Sequence, residues 1–405
     1  MKKVLVVIFL SLFMVSSLFA VTTIKISGWP GNPDEESAIK AGVEEFNSTH
    51  KDIQIVWEPI PGNYIETLKT RISAGTAPDI FYVDVYFFQE FASKNVLLPL
   101  DLYIKKDNFD LDAYFPSLID AFKYNNRVYG IAKDFSTLAL YYNKEIFDKY
   151  GVPYPTSDDT WFDLLDKALQ LKRNGFETPL VLAADFNRVI PFILGSGGRL
   201  VDENLNTTLD EPASKFGLKF YIDLVTKYNV AVEPQTVGAG WIGEALGKEK
   251  VAMGMSGPWS LGFLKSSYPD VYKKMGVVEM PSLIKKSTMV YTVSWSINKE
   301  SKNKAAAWEV LKFLVTRGQE IFVEKAGVLA SRKDLASKDK DPMKIPFYKG
   351  AEYAQPWSVP TPTGIFSIAN DQINSRLKDL FYNKITLEEA LNQIKENYPQ
   401  WISGK

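Results

Sequence analysis

The amino-acid sequence predicts an α/β protein made of two strand–helix regions, and three observations carry that expectation. From residue 22 onward, short β-patterned runs alternate with amphipathic helical segments, the signature of parallel strands covered by helices. The alternation resumes near residue 128 as a second set, and the chain after residue 302 is almost wholly helical. The 405 residues, 46% hydrophobic and 23% charged, suffice for about two to three domains with real cores.

The first segment, residues 1–20, is set apart from these elements. A basic start at Lys2 and Lys3, an apolar run over 4–18 and a small residue at Ala20 describe a secretory signal peptide, with cleavage after Ala20. An uncleaved anchor is the alternative, and the run is short for a membrane-spanning helix. A lipid-anchored bacterial signal needs a cysteine, and the chain has none. The expected location is outside the inner membrane, in the periplasm or on its extracellular side.

The elements then follow in order. Residues 22–27 alternate as a strand and stop at Gly28-Trp29. Residues 34–47 place Ile39, Val43 and Phe46 on one helical face, with Asp34, Glu35 and Glu36 in the first turn, where the helix dipole favours acids. Residues 52–58 alternate again, with Ile53, Ile55 and Trp57 pointing one way; 63–74 is a helix closed by Gly75. The run 78–83 (PDIFYV) is a short apolar strand.

In the second region, 128–131 and 138–142 are extended and 160–172 is a helix capped by Thr160 with Asp163 three residues on. Residues 180–183 make a buried strand, 213–228 a long amphipathic helix, and 250–256 and 289–298 further strands. Helices are expected at 304–315, 319–325, 366–382 and 387–397, and a charged surface loop at 333–340.

Composition excludes several chemistries. Without cysteine there is no disulfide scaffold, zinc ribbon, thiol nucleophile or iron–sulfur cluster. A single histidine, His50, excludes H-E-x-x-H and three-histidine zinc centres, and its place after a helix end reads as an exposed loop. With 47 basic and 48 acidic side chains, nothing argues for a nucleic-acid surface. Gly238 to Gly243 spells G-x-G-x-x-G, but no good strand precedes it and Phe263 stands where the ribose-binding acid belongs. No cofactor and no metal are expected.

Open α/β sheets bind ligands outside the carboxyl ends of their strands. Those ends carry Gly28-Trp29, Asp84 followed by Tyr86, and Ser256-Gly257-Pro258-Trp259. The surplus of 9 Trp, 20 Tyr and 25 Phe divides accordingly. Trp308 and Trp57 read as core, Trp401 as a dock for the last helix, and Trp161 as a helix staple or surface anchor. Trp29, Trp241, Trp259, Trp295 and Trp357 sit beside Gly, Pro or Ser at element ends, where a large ring is poorly buried unless a ligand covers it. Sugars and polyols offer apolar C–H faces for indole and hydroxyls for acids. Asp84 and Asp134 each end an apolar stretch; such a pair suits hydroxyl binding and equally glycoside hydrolysis.

A set of short pieces, in order and spacing, resembles a known family. They include Ser73-Ala74-Gly75-Thr76-Ala77-Pro78-Asp79-Ile80, Leu97-Leu98-Pro99-Leu100-Asp101 and Val128-Tyr129-Gly130-Ile131. Leu140-Tyr141-Tyr142-Asn143-Lys144-Glu145-Ile146-Phe147, Gly257-Pro258-Trp259 and Lys302-Asn303-Lys304-Ala305-Ala306 follow. The chain resembles the extracellular solute-binding proteins of bacterial ABC importers, in the sugar-binding, maltose-binding-protein-like class. The resemblance implies two α/β lobes, one of residues 22–134 and 289–338, the other of 138–283 and 341–405, joined by crossing strands around a ligand cleft. It supports Trp29, Asp84, Asp134 and Trp259 as cleft residues, and Trp241 and Trp357 less specifically. Tyr291-Thr292-Val293-Ser294-Trp295 departs from the glycines many relatives carry there, so Trp295 is expected to fill part of the cleft.

The expected function is therefore capture of a sugar, short oligosaccharide or polyol by lobe closure and its delivery to an ABC permease, by a monomer. A secreted carbohydrate-active enzyme using Asp84 and Asp134 is the alternative, and a binder of peptides or anions a third. An anion calls for Arg, Lys or helix N-termini rather than aromatics and acids.

Overall fold

The computed structural model describes residues 21–30, 33–356 and 366–403; residues 1–20, expected to be a signal peptide, and Trp357 lie outside these described residues. Thirteen strands occur among them. In the first half they are β1 (Thr22–Ser27), β2 (Ile53–Trp57), β3 (Ile80–Asp84), β4 (Lys123–Tyr124), β5 (Arg127–Val128), β6 (Gly130–Thr137) and β7 (Ala139–Asn143). The rest are β8 (Leu180–Val181), β9 (Ala231–Val232), β10 (Met253–Ser256), β11 (Met275–Glu279), β12 (Met289–Ile297) and β13 (Gln355–Pro356).

Two sheets organise them. The first has the order β13-β12-β3-β1-β2, with β6 also pairing β12. Within it β1 runs parallel to β2 and β3, while β12 runs antiparallel to β3 and β6. The second has the order β11-β7-β10-β8-β9, with β10, β8 and β9 parallel and β7 antiparallel to both its neighbours. β4 and β5 form a separate hairpin.

The chain passes between the sheets with little slack. β6 belongs to the first sheet and β7 to the second, and only Leu138 separates them. The return is made between β11 and β12. Thr288 fastens the two passages together: its hydroxyl accepts from Leu138 N–H and donates to Leu138 C=O, both at 3.0 Å. The helix Ile345–Tyr353 closes on the same place, where the Thr137 hydroxyl donates to Phe347 C=O at 2.9 Å.

Local sequence explains the covering helices. In Trp161–Arg173 the Thr160 hydroxyl accepts from Asp163 N–H while the Asp163 carboxylate accepts from Thr160 N–H, so two donors left open by a helix start are satisfied reciprocally. Trp161 itself is core rather than a surface anchor: it is fully buried, its indole N–H donates to Pro281 C=O at 3.1 Å, and its ring meets Phe192 and Phe220. Burying a ring of that size contributes roughly 4–6 kcal/mol before entropy. Trp308 is buried as expected, its N–H on Asp107 at 2.8 Å. His50 stacks on Phe46 at 3.8 Å instead of standing free in a loop. The charged stretch expected as a loop contains a short helix, Lys333–Ala336, started at Arg332, whose guanidinium is held by Glu320 and Asp334.

Candidate functional site

The carboxyl ends of β1, β3 and β10 carry the residues that the sequence singles out there. After β1, Gly28 passes beneath the Tyr82 ring; a Cβ on Gly28 would lie 2.1 Å from Tyr82 Cδ2, so only glycine fits. That close approach sets half-buried Trp29 edge-on against Tyr82 at 5.1 Å and Tyr64 at 5.2 Å. After β10, Gly257 plays the same part for Trp259: a Cβ there would meet the indole at 2.1 Å.

Asp84 and Asp134 are brought together by β12. Val293 pairs with Asp84 of β3 on one side and with Asp134 of β6 on the other, so the two acids flank it at one level of the sheet. Two strand spacings put their backbones about 10 Å apart. Asp84 ends β3 and caps the helix Val85–Ser93, its carboxylate accepting from Tyr86 N–H at 2.8 Å. Burial raises its pKa to about 7, against the lowering effect of that N–H; the charge of Asp134 raises it further and Lys133 lowers it.

A register shift in β6, opposite Val293 and Ser294, gives Lys133 no partner of its own in the ladder. Lys133 pairs with Asp134 and lies 5.0 Å from the Tyr82 ring centroid and 4.4 Å from that of Phe322. Glu35, in the first turn of Pro33–Thr49, is held above the usual carboxylate range by burial, with Lys133 opposing and Asp134 and Glu36 adding to it. Among the described residues Lys133 is the positive charge that acts on both Glu35 and Asp84 and pairs with Asp134.

The second sheet supplies the facing side. Trp259 keeps 39% of its surface exposed, although it is one of the largest apolar side chains in the chain. Tyr291 of β12 meets it edge-on at 5.6 Å, and Tyr86 meets Tyr291 at 6.3 Å. The Arg188 guanidinium stands 5.4 Å from the Trp259 ring and 5.8 Å from the Tyr291 ring. An exposed indole, tyrosines and an arginine therefore adjoin the acid-lined end of the first sheet, the chain from Asp84 to Tyr86 being the link.

Two expected site residues pack against other rings. Trp295 is 2% exposed, packs on Tyr82 at 4.4 Å and Trp57 at 6.3 Å, and lines a small cavity with Ala38, Gly42, Lys133, Leu314 and Phe322. Trp241 packs on Phe263 at 4.8 Å and over Gly243, and no described ring contact joins it to Trp259. Arg188 and Tyr291 were not singled out from sequence. Arg188 occurs in Asp185-Phe186-Asn187-Arg188, a helix start whose orientation no periodicity reveals.

The sequence pattern described as "Bacterial extracellular solute-binding protein" matches residues 30–321. The chain belongs to the bacterial extracellular solute-binding proteins. A maltotriose-binding protein of Pyrococcus abyssi is 25% identical to this solute-binding protein over 295 residues, which is 71% of this chain and 62% of that relative. The solved ABC substrate-binding protein of Listeria monocytogenes in complex with cycloalternan is 26% identical, with a TM-score of 0.78 over 93% of this chain and 98% of that one. The sugar-binding protein MalE of Xanthomonas citri superposes with a TM-score of 0.84 at 19% identity, covering 95% and 98%. The fold is the two-lobed one of these periplasmic binding proteins. Neither the family nor these relatives lends support to the hydrolase reading of Asp84 and Asp134. No helix among the described residues is long and apolar enough to cross a membrane.

Proposed function

We propose that this solute-binding protein is the substrate-binding component of an ABC importer that captures a sugar, short oligosaccharide or cyclic polyol without transforming it. The observation that carries the reading is Trp259, a partly exposed indole with Tyr291 and Arg188 beside it and the carboxylates of Asp84 and Asp134 at the end of the other sheet. Indole binds the C–H face of a sugar ring, and carboxylates accept its hydroxyls. The lobes take the bounds 22–134 with 289–338 and 138–283 with 341–405, the second of them lending β13 to the edge of the first sheet. Ligand bridges them and draws the open–closed equilibrium toward closure, and a membrane permease reads the closed shape. The names of the relatives support the ligand class. The protein acts as an exported monomer.

Tryptophan fluorescence and thermal shift against neutral mono- and oligosaccharides and cyclic polyols test this. Saturable binding of at least one, with no product formed, is expected. No response to any of them, from protein freed of carried-over ligand by unfolding and refolding, refutes it.

A further inference from the structure

Arg188 sits in the first turn of Phe186–Gly195, behind the cap formed by Asp185, which accepts from Asn187 N–H at 3.1 Å. Its guanidinium is fixed over the rings of Trp259 and Tyr291, an arrangement that holds a cation by the negative faces of the two rings. Yet Arg188 Nη1 is buried and makes no hydrogen bond among the described residues. The same holds for Asn187 Oδ1 and the Tyr291 hydroxyl. Several other sheltered cations have acid partners: Lys133 has Asp134, Lys167 has Asp159 at 2.8 Å, and Arg332 has Glu320 and Asp334. Arg376 also has an unsatisfied Nε, but its Nη1 donates to the Gln372 side chain at 2.7 Å. A guanidinium N–H removed from water without an acceptor is costly, and natural proteins leave few such groups. The donor and the hydroxyl belong to residues that adjoin the partly exposed Trp259 ring, and the amide oxygen to the residue before Arg188 in the same helical turn.

Resting on the sugar-binding reading, we infer that Arg188 is a ligand-contact and specificity-determining residue. Its guanidinium donates to an oxygen of the sugar or polyol ring stacked on Trp259, and Tyr291 and Asn187 bind neighbouring hydroxyls. The accepting oxygen is neutral, a hydroxyl or ring oxygen and not a carboxylate. At the Tyr291 hydroxyl the charge of Asp185 opposes that of Arg188, and at Tyr86 both Asp84 and Asp185 oppose it. Lys133 is already committed to Asp134. An anionic ring would therefore meet more carboxylate than cation.

The test compares wild type with Arg188→Met, Arg188→Lys and Tyr291→Phe, using maltotriose, galactose and inositol as neutral probes and galacturonate as the acidic one. Tryptophan fluorescence gives Kd, and thermal melts give the stability of the ligand-free protein. For a neutral probe that wild type binds, Arg188→Met is expected to raise Kd tenfold or more, Arg188→Lys less, and Tyr291→Phe severalfold. The ligand-free melting temperature of Arg188→Met is expected to hold or rise, because a buried guanidinium nitrogen without an acceptor is removed while the methionine side chain keeps contact with the two rings. Kd within twofold of wild type in Arg188→Met, or galacturonate binding more tightly than every neutral probe, overturns the inference. If wild type binds none of the probes, the sugar reading is what fails. The melts then decide Arg188 alone: a fall of several degrees in Arg188→Met makes it structural and overturns the inference, and an unchanged or higher value upholds an arginine kept for a ligand.

Discussion

Replacing Asp84 by asparagine separates the cost of a sheltered carboxylate at the end of β3 from its use as a helix cap. Asparagine caps a helix about as well as aspartate, so Tyr86 N–H keeps its acceptor at 2.8 Å. What changes is the proton. Asp84 titrates near 3.8 when exposed and at about 7 in the folded protein, chiefly because burial disfavours its charge. The folded state thus holds a proton that the unfolded state has released, and stability falls as pH rises from 3.8 to 7, then stays flat. That difference has a ceiling of roughly 4 kcal/mol, and about half of it is expected at a site partly open to water. Asp84→Asn has no proton to lose. Its melting temperature should match wild type near pH 4 and exceed it by two or three degrees at pH 8, since each kcal/mol is worth roughly 1–2 °C in a chain of this length. Melts followed by circular dichroism from pH 4 to 8.5 check this. A variant that is destabilised equally at both ends of that range would refute the argument and make Asp84 an ordinary ionised cap.

Trp259→Ala should weaken sugar binding more than it lowers the ligand-free melting temperature. The exposed 39% of the indole is worth on the order of 100 Å² and so about 2 kcal/mol if ligand covers it, near 30-fold in Kd by calorimetry. Trp295→Ala should do the reverse, costing roughly 3–5 kcal/mol of stability in a denaturant titration as a core cavity opens. Thr160→Ala removes the reciprocal cap of Trp161–Arg173 and should cost about 1 kcal/mol in the same titration with binding unaltered.

How much was legible in the sequence follows the range of the interactions. Local signals read well: the expected helix 34–47 is observed as Pro33–Thr49, the expected 304–315 as Lys304–Val315, and the Thr160 capping pair forms as its spacing requires. The strand-end positions of Trp29, Asp84 and Trp259 also follow from period and punctuation alone. Trp295 shows where local reading stops. Alternation puts it on the same side of β12 as Tyr291, but one residue meets Trp259 and the other meets Tyr82 and Trp57 and lines a cavity with residues of three helices. Which part of a strand a helix covers depends on packing between distant segments. Arg188 was illegible for the same reason: its partners Trp259 and Tyr291 lie 71 and 103 residues further along.

The placement of β12 has a bearing on how the chain is made. It lies between β3 and β6, so the first sheet stays split down its middle until residues 289–297 exist. Asp84 and Asp134 have no common neighbour before then, and the Thr288 clasp on Leu138 cannot close. A chain threaded through a membrane from its N-terminus therefore carries two half-sheets that cannot lock early. The strand that sets Asp84 and Asp134 on either side of itself is the same one that commits the molecule to its folded form.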